Sequence, residues 1–191
     1  MIVSEWAPGA HVLLAPADHL VTDPAAFRDA IRKALSVVTD QIVTFGITPT
    51  GPETGYGYIL QGETIAPGVH RISTFTEKPD LATAQHYLAS GEYHWNSGIF
   101  VLKSSTWLAA LQRFRPDIVD ATSAAWHARS EDKGFTRPGK REFEKVPAES
   151  IDYAVMERCP GSGIDIRMVP LAAGWSDLGA WDAVWQTRAH D

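Results

Sequence analysis

Two aspartates stand where apolar runs give way to polar turns, one near each end of the sequence. Asp18 follows the apolar run at residues 11–17, and Asp177 follows Gly174-Trp175-Ser176. The carboxyl ends of strands in an open α/β sheet line the ligand crevice, so two such carboxylates could jointly hold one hard cation. A cation of this kind keeps several waters and takes further ligands from substrate phosphates. The pair predicts metal-assisted chemistry on a phosphate, although each acid alone is also typical of a turn or a helix start.

Two further motifs could contact a phosphorylated ligand. Gly55 and Gly57 flank Tyr56 in a turn-rich loop; these glycines either let the backbone approach a ligand closely or form a tight turn. Glu77 and Lys78 end a predicted strand, where successive side chains face opposite ways. The glutamate could therefore accept a hydroxyl while the lysine meets a phosphate; a solvated strand end is the alternative.

A short polar cluster before the next apolar run offers an amide group suited to sugar hydroxyls. Asn96 can donate two hydrogen bonds and accept others, and Ser97 follows it. Trp95 could stack on a sugar ring, although tryptophan is more often part of the core. No serine or cysteine is set up as a nucleophile, because Cys159 lies at a predicted helix end before a proline.

The composition is that of one globular domain, residues 1–191, rather than of a disordered chain. Of 191 residues, 45% are hydrophobic and 21% are charged, and 17 Lys and Arg against 23 Asp and Glu give a net charge of −6. No basic stripe is present, so nucleic acid is not an expected partner. The single cysteine excludes an internal disulfide and a thiolate zinc site and fits a reducing cytosol. No apolar run is long enough for a membrane span, and we expect a cytoplasmic protein.

The hydrophobic pattern predicts alternating strands and helices, which is typical of the α/β class. Residues 11–17 and 41–47 are predicted as buried strands, and Asp23-Pro24 begins a helix between them. Strand, helix and strand within about 35 residues predict a parallel βαβ pair. The helix carries one apolar stripe, formed by Phe27, Ala30, Ile31, Ala34, Leu35 and Val38.

Further elements follow along the chain. The polar segment at residues 131–147 is predicted to be mobile. Strands are predicted at residues 58–61, 69–76, 99–102 and 164–171, and helices begin at Asp80, Ser104, Ser150 and Ser176, the last with Leu178, Trp181 and Trp185 on one face.

Six segments, in the same order along the chain, resemble those of bacterial mannose-1-phosphate guanylyltransferases, the type often fused to a mannose-6-phosphate isomerase domain. The resemblance covers nearly the whole chain. The segments are Leu14-Ala15-Pro16-Ala17-Asp18-His19, Pro52-Glu53-Thr54-Gly55-Tyr56-Gly57-Tyr58-Ile59, Phe75-Thr76-Glu77-Lys78-Pro79, Trp95-Asn96-Ser97-Gly98-Ile99-Phe100, Ser150-Ile151-Asp152-Tyr153-Ala154-Val155-Met156-Glu157 and Gly174-Trp175-Ser176-Asp177-Leu178-Gly179.

This resemblance implies a Rossmann-like nucleotidyltransferase fold, a three-layer sandwich around a mixed sheet. It also implies the conversion of GTP and mannose 1-phosphate to GDP-mannose and pyrophosphate with Mg²⁺. On the family pattern, Asp18 and Asp177 would bind the metal and Lys78 would meet the sugar phosphate. The substrate-binding residues would be Glu77 and Asn96 on mannose hydroxyls, Ser97 beside them, and Gly55, Tyr56 and Gly57 along the sugar and nucleotide.

One departure from the family concerns the N-terminus. Seventeen residues precede Asp18, whereas the family's glycine-rich signature lies well upstream of it. We therefore expect an N-terminally truncated chain that lacks the triphosphate loop, much of the guanine site and the isomerase domain. Full catalysis is not expected from it, and an exposed sheet edge favours self-association into a homo-oligomer. The alternatives are a non-catalytic sugar-phosphate-binding domain and a nucleotidyltransferase for another sugar 1-phosphate.

Overall fold

The computed structural model describes residues 1–179 and Trp185. Ten strands, seven α-helices and one 3-10 helix occur in this part of the chain. In order they are α1 (Ile2–Trp6), β1 (His11–Leu14), β2 (Leu20–Val21), α2 (Pro24–Val37), β3 (Ile42–Ile47), β4 (Gly57–Ala66), β5 (Val69–Glu77), α3 (Leu81–Ser90), β6 (Tyr93–Lys103), α4 (Ser104–Phe114), α5 (Pro116–His127), β7 (Ser130–Asp132), β8 (Phe135–Arg137), α6 (Lys140–Phe143), α7 (Ile151–Ala154), the 3-10 helix (Met156–Arg158), β9 (Ile166–Pro170) and β10 (Trp175–Ser176).

Six strands form a mixed sheet in the order β1-β6-β3-β9-β5-β4, and β4 also pairs with β6. The strand β3 runs parallel to β9 and antiparallel to β6. One side of β6 pairs with β3. On its other side, β6 pairs with β4 at residues 93–95 and with β1 at residues 100–103. The middle of β6 therefore lies between the ends of two different partners, and this is where the candidate site is found.

Helices cover both faces of the sheet. Ile42 and Phe100 point into a core formed with α4 and α7, whereas their neighbours Val43 and Val101 point into a second core formed with α2. This alternation is what a strand buried on both faces requires. The predicted three-layer α/β sandwich with a mixed sheet is thereby confirmed.

The predicted βαβ pair is wrong in two respects. The strands β1 and β3 do run in the same direction, but both pair antiparallel with β6, which lies between them. The strand β1 is an edge strand rather than a buried one, with Leu13 45% and Leu14 37% exposed. An apolar run alone does not distinguish a central strand from an edge strand. Self-association through this edge stays a prediction.

Helix starts were predictable from capping residues. The side chains of Asp23, Asp80 and Ser150 each accept backbone N–H bonds in the first turn of the following helix, as predicted. Ser104 differs, because it is the first residue of α4 and Lys103 occupies the cap position.

Residues 131–147, predicted to be mobile, carry most of the hairpin of β7 and β8 and the helix α6, and their mobility stays a prediction. The predicted C-terminal helix differs from the structure. Ser176 lies in β10 rather than at a helix cap, and residues 177–179 are not helical. Of the rest of that predicted helix, Trp185 is helical and 66% exposed, and Trp181 falls outside the described residues. Among the described residues, no helix has the length and apolar character needed to cross a membrane.

The helix α2 presents its apolar stripe to the sheet, with Ala30, Ala34 and Val38 buried. Leu35 is 42% exposed, so its assignment to the buried face was wrong. Phe27 is half-buried and packs edge-on against the fully buried Phe45, with ring centroids 6.2 Å apart.

Replacing Phe27 by alanine should lower the free energy of unfolding by about 3 kcal/mol, because the ring's contact with the sheet is lost and a cavity remains. Urea unfolding measures this directly. Arg28→Ala, one position further on the exposed face, is the control and should change stability by less than about 0.5 kcal/mol. Equal effects of the two changes would contradict the packing of α2.

Candidate active site

A bulge interrupts β6 at the centre of the candidate site. The pairs Thr44–Phe100 and Gly46–Asn96 enclose three residues of β6 against one of β3. Gly98 takes up the extra length with a φ of 69°, a conformation that favours glycine. The hydroxyl of Ser97 accepts the N–H of Ile99 at 3.2 Å. Bulges of this type re-aim side chains and are frequent beside active sites.

The buried residues Thr44 and Asn96 fix the geometry of this bulge. The Thr44 hydroxyl lies 2.8 Å from Asn96 Oδ1 and 3.0 Å from the carbonyl oxygen of Ile99. Asn96 Nδ2 in turn donates to Asp152 Oδ1 at 3.1 Å. The orientation of the Asn96 amide is thus set by protein groups, and one N–H of Nδ2 remains for a ligand. The predicted contact of Asn96 with a sugar hydroxyl stays a prediction.

Ser97 is 1% exposed, and its hydroxyl is used within the bulge. The structure therefore gives Ser97 a local structural role. Its predicted contact with substrate remains untested.

Gly57 and Glu77 face each other across the β4–β5 pair. A Cβ at Gly57 would lie 2.5 Å from Glu77 Oε2, so the glutamate carboxylate packs directly over this glycine. A Cβ at Gly55 would meet no described heavy atom within 4 Å. Gly57 is required by its contact with Glu77, whereas Gly55 leaves open space in which a ligand could lie.

Lys78 follows β5 in a left-handed conformation, with a φ of 48°. Its N–H donates to the carbonyl of Tyr56 at 3.2 Å, and its Nζ lies 3.7 Å from Glu77 Oε1. The lysine side chain is 54% exposed and that of Glu77 is 9% exposed. The turn therefore presents a cation to solvent beside a covered carboxylate, an arrangement suited to a ligand with a phosphate and hydroxyls.

Three carboxylates surround this turn. Burial, helped by the nearby charges of Asp152 and Glu157 and opposed by Lys78, raises the pKa of Glu77 to about 7. Burial also raises the pKa of Asp152, against the effect of its hydrogen bond from Asn96. Glu157 Oε1 accepts the backbone N–H of Glu77 at 2.6 Å.

Sequence reasoning did not assign Asp152 or Glu157 to the site. Asp152 was interpreted as an acid favoured by a helix dipole, and Glu157 was given no role. The available signal was the segment at residues 150–157, which is one of the six matching motifs.

The two predicted metal ligands flank a separate two-stranded ladder. Its pairs are Val21–Trp175 and Leu20–Ser176; Asp18 lies two residues before this ladder and Asp177 one residue after it. Both acids are thus carried to one end of the β2–β10 pair.

Asp177 is half-buried and hydrogen-bonded. Its Oδ1 accepts the hydroxyl of Tyr56 at 2.8 Å and the N–H of Gly179 at 3.0 Å. Burial and the bond to Asp177 raise the pKa of Tyr56, so the phenol stays protonated and keeps donating. Tyr56 was predicted to contact substrate; the structure also shows it fixing one oxygen of a predicted metal ligand.

Aromatic side chains hold this ladder against the main sheet. The ring of Tyr56 lies edge-on to Trp95, with centroids 5.0 Å apart, and to Trp175, with centroids 5.7 Å apart. The Trp175 indole N–H donates to His19 Nδ1 at 3.2 Å. Trp95, at 7% exposure, is part of the core rather than an open stacking platform.

The donors present suit a magnesium ion that is only partly held by protein. The described part of the chain contains no group of three or more His, Cys, Asp and Glu side chains that could hold a metal. Asp18 is exposed, and Asp177 has its second oxygen, Oδ2, outside the two bonds just described. Two carboxylates completed by water and substrate phosphate are a usual environment for Mg²⁺.

Cys159 does not offer nucleophilic chemistry. The thiol is fully buried, and burial raises its pKa to about 12. A protonated, enclosed thiol is a poor nucleophile, which agrees with its sequence-based exclusion.

The chain is a three-layer α/β domain built around a mixed sheet. It belongs to the nucleotidyl transferase family, whose model matches residues 1–191. The Xanthan biosynthesis protein XanB of Xanthomonas campestris pv. campestris is 47% identical over 181 residues. The mannose-1-phosphate guanylyltransferase of Escherichia coli K12 is 46% identical over 184 residues. Each alignment covers 94% of this chain and 38% of the relative.

Solved structures agree with this assignment. A protein described as the mannose-1-phosphate geranyltransferase of Thermus thermophilus is 30% identical, with a TM-score of 0.84, over 99% of this chain and 52% of that one. A UDP-glucose pyrophosphorylase bound to UDP-glucose has a TM-score of 0.53 at 13% identity, over 97% of this chain and 60% of that one. The second likeness shows the fold alone.

The raised pKa of Glu77 predicts a pH-dependent effect of Glu77→Gln on stability. Between the ordinary value of 4.5 and about 7, the unfolded chain ionises before the folded one, so wild-type stability falls as the pH rises through this range. The variant lacks this fall, and its stability relative to wild type should rise by about 2–3 kcal/mol across the range. Urea unfolding at several pH values tests this, with the exposed Glu63→Gln as control. A difference that does not change with pH would contradict the raised pKa.

Gly55 and Gly57 should respond differently to replacement by alanine. In Gly57→Ala the added methyl displaces the Glu77 carboxyl group, and binding of mannose 1-phosphate should weaken about tenfold, the loss of about one hydrogen bond. Gly55→Ala should leave stability within about 0.5 kcal/mol of wild type. Calorimetric titration of both variants measures binding. Unchanged binding in Gly57→Ala would show that the position of Glu77 does not matter to the ligand.

Proposed function

We propose that this chain handles the sugar phosphate in a nucleotidyltransferase that forms GDP-mannose and pyrophosphate from GTP and mannose 1-phosphate. The observation that carries the proposal is the Glu77–Lys78 turn, in which an exposed cation stands beside a covered carboxylate that packs over Gly57. The name of the Escherichia coli relative supports the choice of mannose and guanine. Because the chain spans 38% of that relative's length, the activity of the whole protein belongs to the proposal.

The chemistry needs alignment and charge neutralisation more than proton transfer. An oxygen of the mannose 1-phosphate dianion attacks the α-phosphorus of GTP, and the bond to the leaving pyrophosphate breaks on the opposite side. The attacking oxygen is already ionised, so no general base is required. Lys78 holds the sugar phosphate, while Glu77 accepts, and the free N–H of Asn96 donates, hydrogen bonds to mannose hydroxyls.

Asp18 and Asp177 would hold Mg²⁺, which when bound neutralises phosphate charge and orients the reacting groups. Tyr56 and the N–H of Gly179 occupy Asp177 Oδ1 and so leave Oδ2 for the metal. Tyr56 therefore contributes by orienting a ligand of the metal.

The cellular setting follows from the same proposal. We place the reaction in the cytoplasm, where the single thiol of Cys159 stays reduced. The Xanthomonas relative is named for xanthan biosynthesis, and we propose that the sugar nucleotide made here likewise serves polysaccharide synthesis.

A sugar-phosphate-binding module without turnover is the second candidate. The sequence contains no G-x-x-x-x-G-K-[S/T] loop to cradle a triphosphate. Binding of mannose 1-phosphate without reaction with GTP would support this candidate.

Pyrophosphate release from GTP, mannose 1-phosphate and Mg²⁺ separates the two functions. Under the primary proposal, turnover is seen and Asp177→Asn abolishes it, while Mn²⁺ binding followed by electron paramagnetic resonance weakens in the same variant. Lys78→Gln should weaken mannose 1-phosphate binding at least tenfold, and the exposed Lys140→Gln serves as control. Equal affinity for glucose 1-phosphate would contradict the assignment to mannose, and unchanged binding in Lys78→Gln would contradict the role of the turn.

A further inference from the structure

We propose that Glu157 is a positioning residue for Lys78, because its carboxylate accepts the Glu77 backbone N–H and so holds the turn that presents the lysine. The identity of the ligand rests on the proposed function, whereas the positioning role is a property of the fold. Glu157 itself need not touch the ligand.

The backbone at Lys78 requires such support. A lysine at a φ of 48° occupies a conformation that residues other than glycine seldom adopt, and Pro79 restricts it further. Strained residues of this kind persist when surrounding contacts hold them. The N–H of Lys78 is held by the carbonyl of Tyr56 at 3.2 Å, which fixes the side of the turn that faces β4.

Glu157 fixes the other side of the same turn. The strand β9 pairs with β5 at His70 and Arg71, far from the end of β5 at Glu77. No pairing of β9 reaches the Glu77 N–H in the described structure. Glu157 Oε1 lies 2.6 Å from that nitrogen and supplies the acceptor that a longer neighbouring strand would have supplied.

The segment that carries Glu157 is firmly anchored. Glu157 lies in the 3-10 helix Met156–Arg158, and Val155, Met156 and Cys159 around it are all 0% exposed. At the start of the preceding helix α7, the hydroxyl of Ser150 accepts the N–H of Tyr153. Because this segment is buried, the Glu157 carboxylate is held in place and can fix the position of the Glu77–Lys78 turn.

This assignment separates the roles of the three carboxylates around Lys78. Glu157 is used by the backbone of the turn, and Asp152 Oδ1 is used by Asn96. The Glu77 carboxylate and the Lys78 ammonium then remain as the groups that meet a ligand.

Two conservative variants of Glu157 separate the effect of its side-chain length from the effect of its negative charge. Glu157→Gln keeps an oxygen at the same reach but removes the charge, whereas Glu157→Asp keeps the charge on a side chain about 1.5 Å shorter. The proposal predicts that Glu157→Gln binds mannose 1-phosphate within about twofold of wild type. Glu157→Asp should bind about tenfold more weakly, the loss of one hydrogen bond to a charged group. Calorimetric titration of the full chain measures both.

Backbone amide resonances supply a readout that does not depend on the ligand. A 2.6 Å bond to a carboxylate oxygen should shift the Glu77 amide proton downfield in ¹H–¹⁵N spectra of wild type. This shift should be kept in Glu157→Gln and lost in Glu157→Asp, with a matching change at Lys78. The proposal is overturned if the aspartate variant keeps wild-type amide shifts, or if both variants lose them equally. Should wild type fail to bind mannose 1-phosphate, the proposed function fails, and the amide shifts still decide the role of Glu157.

Discussion

The bulge of β6 at residues 97–99 is the constraint on which the site depends. The buried Thr44 hydroxyl lies within hydrogen-bond distance of both Asn96 Oδ1 and the carbonyl oxygen of Ile99, and it donates its one proton to one of these two acceptors at a time. A buried polar group without a partner is costly, so this bulge is a specified feature rather than a local irregularity. It allows β6 to pair with β4 before the bulge and with β1 after it. It also turns Asn96 toward Asp152.

The electrostatics of the site follow from how each charge is used. An acidic chain with a net charge of −6 repels a phosphate unless cations are placed locally. Lys78 supplies one such charge, and burial holds the pKa of Glu77 at about 7, so this carboxyl is substantially protonated at neutral pH. A partly neutral carboxyl can both donate to and accept from sugar hydroxyls. The covered acid and the exposed lysine together suit a ligand with an anionic end and a hydroxylated end.

Rules that depend only on residues close in sequence predicted where helices begin. Contacts between residues distant in sequence decided which strands and side chains are exposed, and the sequence rules did not predict this. Asp23 and Asp80 cap helices because a cap depends on neighbours within one turn. The edge position of β1 and the exposure of Leu35 depend on which distant strand or helix lies alongside, and hydrophobicity alone does not report this. The support given by Glu157 was not predictable for the same reason. It exists because the antiparallel pairing of β9 with β5 stops at Arg71 and does not extend to the end of β5 at Glu77, a property of the assembled sheet.

The site consists of two parts that Tyr56 joins. One part is the turn at Glu77–Lys78 on the main sheet, and the other is the β2–β10 ladder, with Asp18 before β2 and Asp177 after β10. Tyr56 accepts the Lys78 N–H with its carbonyl and donates its hydroxyl to Asp177. A displacement of this tyrosine would alter the distance between the lysine and the aspartate, and in-line transfer between two phosphates depends on such alignment. The loop at residues 48–56, between β3 and β4, therefore connects the two parts of the site through Tyr56.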